Sequence, residues 1–219
     1  MNVAIDGPAG AGKSTIAKII AKRMGYIYVD TGAMYRAMAL YLINQKVSRD
    51  DTAKIEKACE DADITIEYIN GEQVVLLNGD NVNGLIRNEN VGNMASVSSA
   101  NSRVRAKLVA LQQKLASDKD VVMDGRDIGT VVLPEAEVKI YLTASSRVRA
   151  LRRYDELLAK GEKCDIDVIE RDIIERDNRD MTREISPLKQ AEDAILVDSS
   201  DMSVDEVVEC ICGIIIRKQ

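Results

Sequence analysis

Apolar positions along the chain fall into short runs whose period changes from segment to segment. Val3 to Ile5 is an unbroken apolar run closed by Asp6, which reads as a buried strand. Thr15 to Met24 shows helical spacing and stops at Gly25, a residue suited to a helix C-cap. Tyr26 to Asp30 is a second strand of the β-rich type, and Ala33 to Asn44 returns to helical period. Asp30-Thr31-Gly32 then forms the polar end of that strand, where a parallel α/β sheet places ligand groups. Ser48 to Ala62 predicts a helix, and Ile64 to Ile69 with Gln73 to Leu77 flank Asn70-Gly71, a strong hairpin signal. Asn78 to Gly84 reads as loop, and Ser96 to Ala100 as a serine-rich segment before a helix over Asn101 to Ser117. Further strands are expected at Asp120 to Asp124, Val138 to Leu142 and Ala194 to Val197, with a closing helix over Ser203 to Lys218. An antiparallel hairpin between helical segments does not belong in a βαβ rhythm, so the pattern predicts an α/β core carrying an inserted subdomain.

The first turn after the first strand carries the chemistry. Gly7 to Ser14 spell G-x-x-x-x-G-K-S, between a strand and a helix, which is the setting a P-loop requires. Its backbone N–H groups and the following helix N-terminus suit a phosphate chain. Lys13 is placed to reach the β/γ-phosphates and Ser14 to ligate Mg²⁺. The strand ending at Asp124 matches the carboxylate-terminated strand that helps place the metal, and Gly125-Arg126-Asp127 follows at once.

Composition narrows the classes. The 219 residues are 46% hydrophobic and 30% charged, ordinary globular values. A formal net charge of -6 argues against a general nucleic-acid binder, so anions must be caught by local arginine clusters. With no histidine, histidine-dependent triads are excluded, while phosphoryl transfer depends on positioning and charge neutralisation. Cys59, Cys164, Cys210 and Cys212 lack zinc-site spacing and read as reduced thiols, with Cys210 and Cys212 partly buried. Asp6, Gly7 and Pro8 interrupt the first apolar stretch, and Ile211 to Ile216 is far short of the ~20 residues of a membrane helix. Neither a signal peptide nor a membrane anchor is expected, and the protein is expected in the cytoplasm.

Ser145 to Arg183 is the most charged stretch. Arg149 and Arg153 are four apart, as are Arg179 and Arg183, an unfavourable arrangement on a helix unless an anion offsets it. Asp172/Arg176, Arg152/Glu156 and Glu175/Arg179 share that spacing and account for part of the pattern as helix ion pairs. Arg36, near a helix N-terminus, also calls for an anionic partner.

Four blocks carry a close resemblance to the bacterial cytidylate kinases of the nucleoside monophosphate kinase group. They are Gly7 to Thr15, Val29 to Arg36, Asp124 to Val132 and Arg176 to Arg183. The resemblance implies a P-loop kinase core with a parallel five-stranded sheet flanked by helices (residues 1–37, 101–146 and 186–219). To this it adds a monophosphate-binding insert (38–100) and a mobile helical lid (147–185). It implies ATP on Gly7, Pro8, Ala9, Gly10, Ala11, Gly12, Lys13, Ser14 and Thr15, and Mg²⁺ near Ser14 and Asp124. The CMP phosphate would fall to Arg36 and Arg126, the base to Ser96, Arg105 and Asp127, and the sugar and phosphates to Arg176, Asp180 and Arg183. Arg153 would close over the transferring group. Thr31 stands where the family often has serine, keeping the hydroxyl. Lys13, Arg126, Arg153, Arg176 and Arg183 are thus the expected catalytic set of a monomeric ATP-dependent kinase of CMP and dCMP. The P-loop alone would also fit a uridylate or adenylate kinase; the Asp124 to Asp127 block and the long insert favour CMP. A GTPase switch would need an N-K-x-D motif, which the chain lacks, and a structural protein with a dead P-loop would not keep Lys13 and Ser14.

Overall fold

The computed structural model describes all 219 residues. In chain order the first half holds β1 (Asn2–Asp6), α1 (Lys13–Met24), β2 (Ile27–Asp30), α2 (Thr31–Asn44), α3 (Thr52–Asp61), β3 (Ile64–Ile69), β4 (Glu72–Leu77), β5 (Asp80–Asn81), α4 (Glu89–Ser98) and α5 (Ser102–Ala116). The second half holds β6 (Val121–Gly125), a wide helical turn (Ile128–Val132), β7 (Val138–Thr143), α6 (Ser146–Ala159), α7 (Ile166–Thr182), β8 (Ile195–Asp198) and α8 (Val204–Ile216). A five-stranded sheet has the order β2-β6-β1-β7-β8, and a three-stranded one the order β3-β4-β5. The α/β fold with a five-stranded parallel sheet and flanking helices is therefore as the sequence predicts.

The chain divides into two compact units, Met1–Tyr26 with Val121–Gln219, and Ile27–Asp120. The segment expected as a lid falls inside the first and the expected insert inside the second, which also takes in residues 27–37 and 101–120.

In the first unit β1 runs parallel to both β6 and β7, with Ile5 level with Asp124 and Asp6 level with Gly125. That register brings the carboxyl ends of two strands together, where side chains and backbone groups can meet a ligand. Ile5, Met123, Ile140 and Leu142 are fully buried, each contributing about 1.5–3 kcal/mol through burial. α1 ends at Gly25 in the left-handed region, as expected. α8 opens with a capping box, Ser203 bonding the Glu206 N–H while Glu206 returns to the Ser203 N–H. α6 and α7 pair through Arg147, which reaches Asp167 at 2.7 Å and Glu170 at 3.0 Å. Arg152 does not pair with Glu156 as its spacing suggests. It donates to the Ser199 carbonyl at 2.9 Å, and Arg153 takes Glu156 instead.

In the second unit α2 buries Met34, Met38 and Leu42 completely. It starts two residues earlier than its apolar pattern indicates, because Asp30 caps it by accepting from the Ala33 N–H at 2.9 Å. The β3–β4 hairpin turns at Asn70 and Gly71, both with positive φ, as Asn-Gly predicts. Asn78 and Gly79 repeat that geometry and add β5 inside the stretch expected as loop. The serine-rich segment is no separate stretch but the end of α4, capped by Asn88. All four cysteines are free thiols, with Cys212 buried but Cys210 exposed, contrary to expectation. No helix is long and apolar enough to cross a membrane.

Candidate active site

The P-loop wraps tightly because Gly7 has φ 148 and sits against β7, where an added Cβ would lie 1.9 Å from the Leu142 carbonyl oxygen. No side chain fits there. Lys13 is buried and its Nζ donates to the Pro8 carbonyl at 2.7 Å. Burial first, then the positive charge of Arg126, holds its ammonium well below the ordinary lysine range; Asp124 and Asp6 oppose this and Arg176 adds to it. An arriving polyphosphate would supply the negative charge this group lacks. Ser14 donates to Asp124 at 3.0 Å. This pair of hard oxygen donors suits Mg²⁺, which usually takes one or two protein oxygens and completes its shell with water and phosphate. No cluster of three or more His, Cys, Asp or Glu side chains could hold a metal by itself.

Around the same strand ends, acidic and basic side chains interlock. Arg126 Nε donates to Asp180 at 2.9 Å across 54 residues of sequence. Burial raises the Asp180 carboxyl, but Arg126, Arg176 and Arg183 together outweigh it and leave the group below the usual carboxylate range. Arg183 approaches Asp127 at 3.7 Å and donates through Nε to the Ser186 carbonyl at 2.7 Å. Of the residues expected from sequence, the first unit thus gathers Lys13, Ser14, Asp124, Arg126, Asp127, Arg176, Asp180 and Arg183. Arg153 stands apart, 49% exposed and paired only with Glu156.

The second unit holds the rest of the expected set. Thr31 is buried in the first turn of α2, and Arg36 follows, with a guanidinium nitrogen 3.3 Å from where a Cβ on Gly32 would lie. Arg105 on α5 lies over the Tyr35 ring at 5.7 Å and donates to the Ser99 carbonyl at 3.4 Å. Ser96 is half-buried on α4.

Several residues escaped the sequence reading. Arg149, expected as one of two repelling helix charges, is buried and triply bonded: Nε to the Ala144 carbonyl, one terminal nitrogen to the P-loop carbonyl of Ala9 at 2.9 Å, the other to Asp177 at 2.6 Å. It ties the loop to α6 and α7. Arg87 pairs with Asp30 at 2.9 Å, and Gln73 exchanges two hydrogen bonds with the Asp30 backbone. Asp6 was visible only as the end of a strand, yet its carboxylate accepts from the Ile128 N–H at 2.8 Å and the Gly129 N–H at 2.7 Å.

A profile of the family described as cytidylate kinase matches residues 3–217. The chain belongs to the cytidylate kinase family. It is 50% identical over 209 residues to the cytidylate kinase of Caldicellulosiruptor saccharolyticus, covering 95% of this chain and 92% of that protein. It is also 50% identical over 218 residues to that of Carboxydothermus hydrogenoformans, covering 100% and 98%. Among solved structures, a shikimate kinase from Bacteroides thetaiotaomicron superposes with a TM-score of 0.52 over 98% of both chains at 10% identity, a likeness of fold alone. The resemblance carried by the four sequence blocks is thus that of a family member along nearly its whole length.

Proposed function

We propose that this protein transfers the γ-phosphoryl group of ATP to CMP and dCMP, giving ADP and CDP or dCDP. The observation that carries the reading is the concentration of cationic groups on the P-loop lysine, Arg126 and Arg176 both acting on Lys13 while Asp180 holds Arg126 in place. Two anionic substrates repel each other, and transfer between them needs such charge, together with in-line positioning, more than it needs an acid or base. ATP is assigned to Gly7 to Thr15, and Mg²⁺ to Ser14 and Asp124, which would hold the ion where its charge would offset that of the phosphates. In the first unit Arg126, Arg176, Asp180 and Arg183 are assigned to the monophosphate substrate, with Asp127 reading the base. In the second, Thr31, Arg36, Ser96 and Arg105 are assigned to the same substrate. Arg153 reaches phosphate only on closure of α6 and α7 as a lid. The protein works as a monomer in the cytoplasm.

ADP release measured with ATP alone, then with CMP, dCMP, UMP or AMP added, tests the reading. Release that depends on CMP or dCMP and is much weaker with UMP and AMP is expected. Slow hydrolysis indifferent to CMP would overturn it.

A further inference from the structure

Asp6 closes β1, one residue before the P-loop, and is only 5% exposed. Its two carboxylate oxygens accept from consecutive amides 122 and 123 residues further along the chain, those of Ile128 and Gly129. These amides open the wide turn Ile128–Val132, whose later N–H groups run back to the carbonyls of Asp127 and Ile128. The first N–H groups of any helical turn have no partner inside it and are ordinarily met by the side chain at the N-cap. The residue at that N-cap is Asp127, among the best of all capping residues, and its side chain makes no capping bond. It faces Arg183 instead. The turn packs closely on both neighbours: a Cβ on Gly129 would lie 3.4 Å from an Asp6 oxygen and 3.2 Å from the Lys139 side chain.

We propose that Asp6 is a positioning residue for the monophosphate substrate: by capping the turn in place of Asp127, it keeps the Asp127 carboxylate turned to the substrate. This rests on the assignment of Asp127 to CMP recognition. Without Asp6, the two amides are left unmet in a buried place, and the Asp127 carboxylate is drawn back to cap its own turn. Burial pushes the Asp6 pKa up to about 6 against the pull of the two N–H bonds, so its charge is held there at a cost. Such a cost is kept where a precise contact matters.

The test is a kinetic cycle of Asp6→Asn, Asp127→Ala and the double variant, with CMP, UMP and ATP each varied. Asp6→Asn keeps the shape but offers one acceptor and places an N–H₂ against an N–H. It should raise KM for CMP by about tenfold and narrow the CMP to UMP ratio in kcat/KM, while KM for ATP stays within about twofold. On the Asp127→Ala background the same change should have almost no further effect. Additive losses in the double variant, an unchanged KM for CMP, or a KM for ATP that rises in step would each overturn the proposal. If Asp127→Ala raises KM for CMP without narrowing the ratio, while the two changes stay non-additive, only base reading by Asp127 fails and the positioning role stands. Should Asp6→Asn not fold, Asp6→Glu keeps the charge but lengthens the side chain by one methylene, so that its oxygens no longer meet both amides in the same place. It should raise KM for CMP only when Asp127 is present, and an unchanged KM would overturn the proposal equally.

Discussion

At the carboxyl ends of β1 and β6, charge is met by charge; around α2 it is met mostly by backbone and ring. The first region holds Arg126 with Asp180, Arg149 with Asp177 and Arg183 near Asp127, all largely removed from water. In the second, Asp30 caps a helix and pairs with an exposed Arg87, Gln73 closes a two-bond amide pair, and Arg105 rests on an aromatic face. Buried ion pairs seldom add net stability over an apolar substitute, but they fix where each charge stands and penalise any unpaired state. That suits a region that, on the proposed assignment, would exchange one anion for another as phosphates come and go. Caps and amide pairs, by contrast, fix backbone, and suit a surface that offers shape and hydrogen bonds.

The sharpest break of this comparison is at Lys13. Lys13→Ala should leave thermal stability nearly unchanged, since the side chain is buried at a cost to its charge, yet lower kcat by about a thousandfold. Turnover near that of the unaltered protein at saturating ATP would remove Lys13 from the transfer step.

Next in size is Arg126→Ala, which strands the Asp180 carboxylate. A loss of about 3 kcal/mol in urea unfolding is expected, relieved by adding Asp180→Ala, whereas activity stays low in both. A single variant as stable as the parent would show that Arg176 and Arg183 alone suffice for Asp180. In the second unit Arg87→Ala, whose partner Asp30 is also held by a helix cap, serves as the contrast and should cost well under 1 kcal/mol.

The difference between the regions also explains what the sequence could reveal. The P-loop, the Asn-Gly hairpin and the strands of the parallel sheet are local patterns, and they stand where expected. α4 was hidden because its polar residues and Gly92 mask a weak buried stripe, Val91, Met94, Ala95 and the polar Ser98, that is nevertheless spaced for a helix. The ion pairs were not legible at all. Arg126 and Asp180 are 54 residues apart, and four-residue spacing pointed Arg152 and Arg149 at the wrong neighbours because tertiary contacts won. Asp6 was missed for the same reason: its partners lie on another strand's loop.

Smaller effects come from residues outside the interlocked set. Arg153→Ala should lower kcat about tenfold and raise KM for CMP less, since Arg153 is solvent-facing and would meet phosphate only on the proposed closure of α6 and α7. An unchanged kcat would return it to the helix surface.

The smallest effect is a pH dependence. The Asp6 carboxyl is raised to about 6, with Asp127 pushing it further up and Lys13 drawing it down. As pH falls through that value it gains a proton and loses one of its two acceptor roles, so the CMP to UMP ratio in kcat/KM should fall by a few-fold from pH 7.5 to pH 5.5. Taking the ratio cancels the titration of the substrate phosphate, which both nucleotides share. With no histidine in the chain, few other groups titrate there, and Asp6→Asn should make the ratio flat.

The proposed role of the buried Asp127 carboxylate is to distinguish cytosine within a cationic phosphate site. Cytosine presents an amino donor where uracil presents a carbonyl, so on the proposed assignment the Asp127 carboxylate would accept from one and oppose the other. The direct measurement is kcat/KM for CMP and for UMP in the parent protein and in Asp127→Ala. The parent should prefer CMP by roughly ten- to hundredfold or more, and the variant should lose most of that preference, falling far more with CMP than with UMP. Equal losses with both nucleotides would contradict it, and would move Asp127 to the phosphate side of the site.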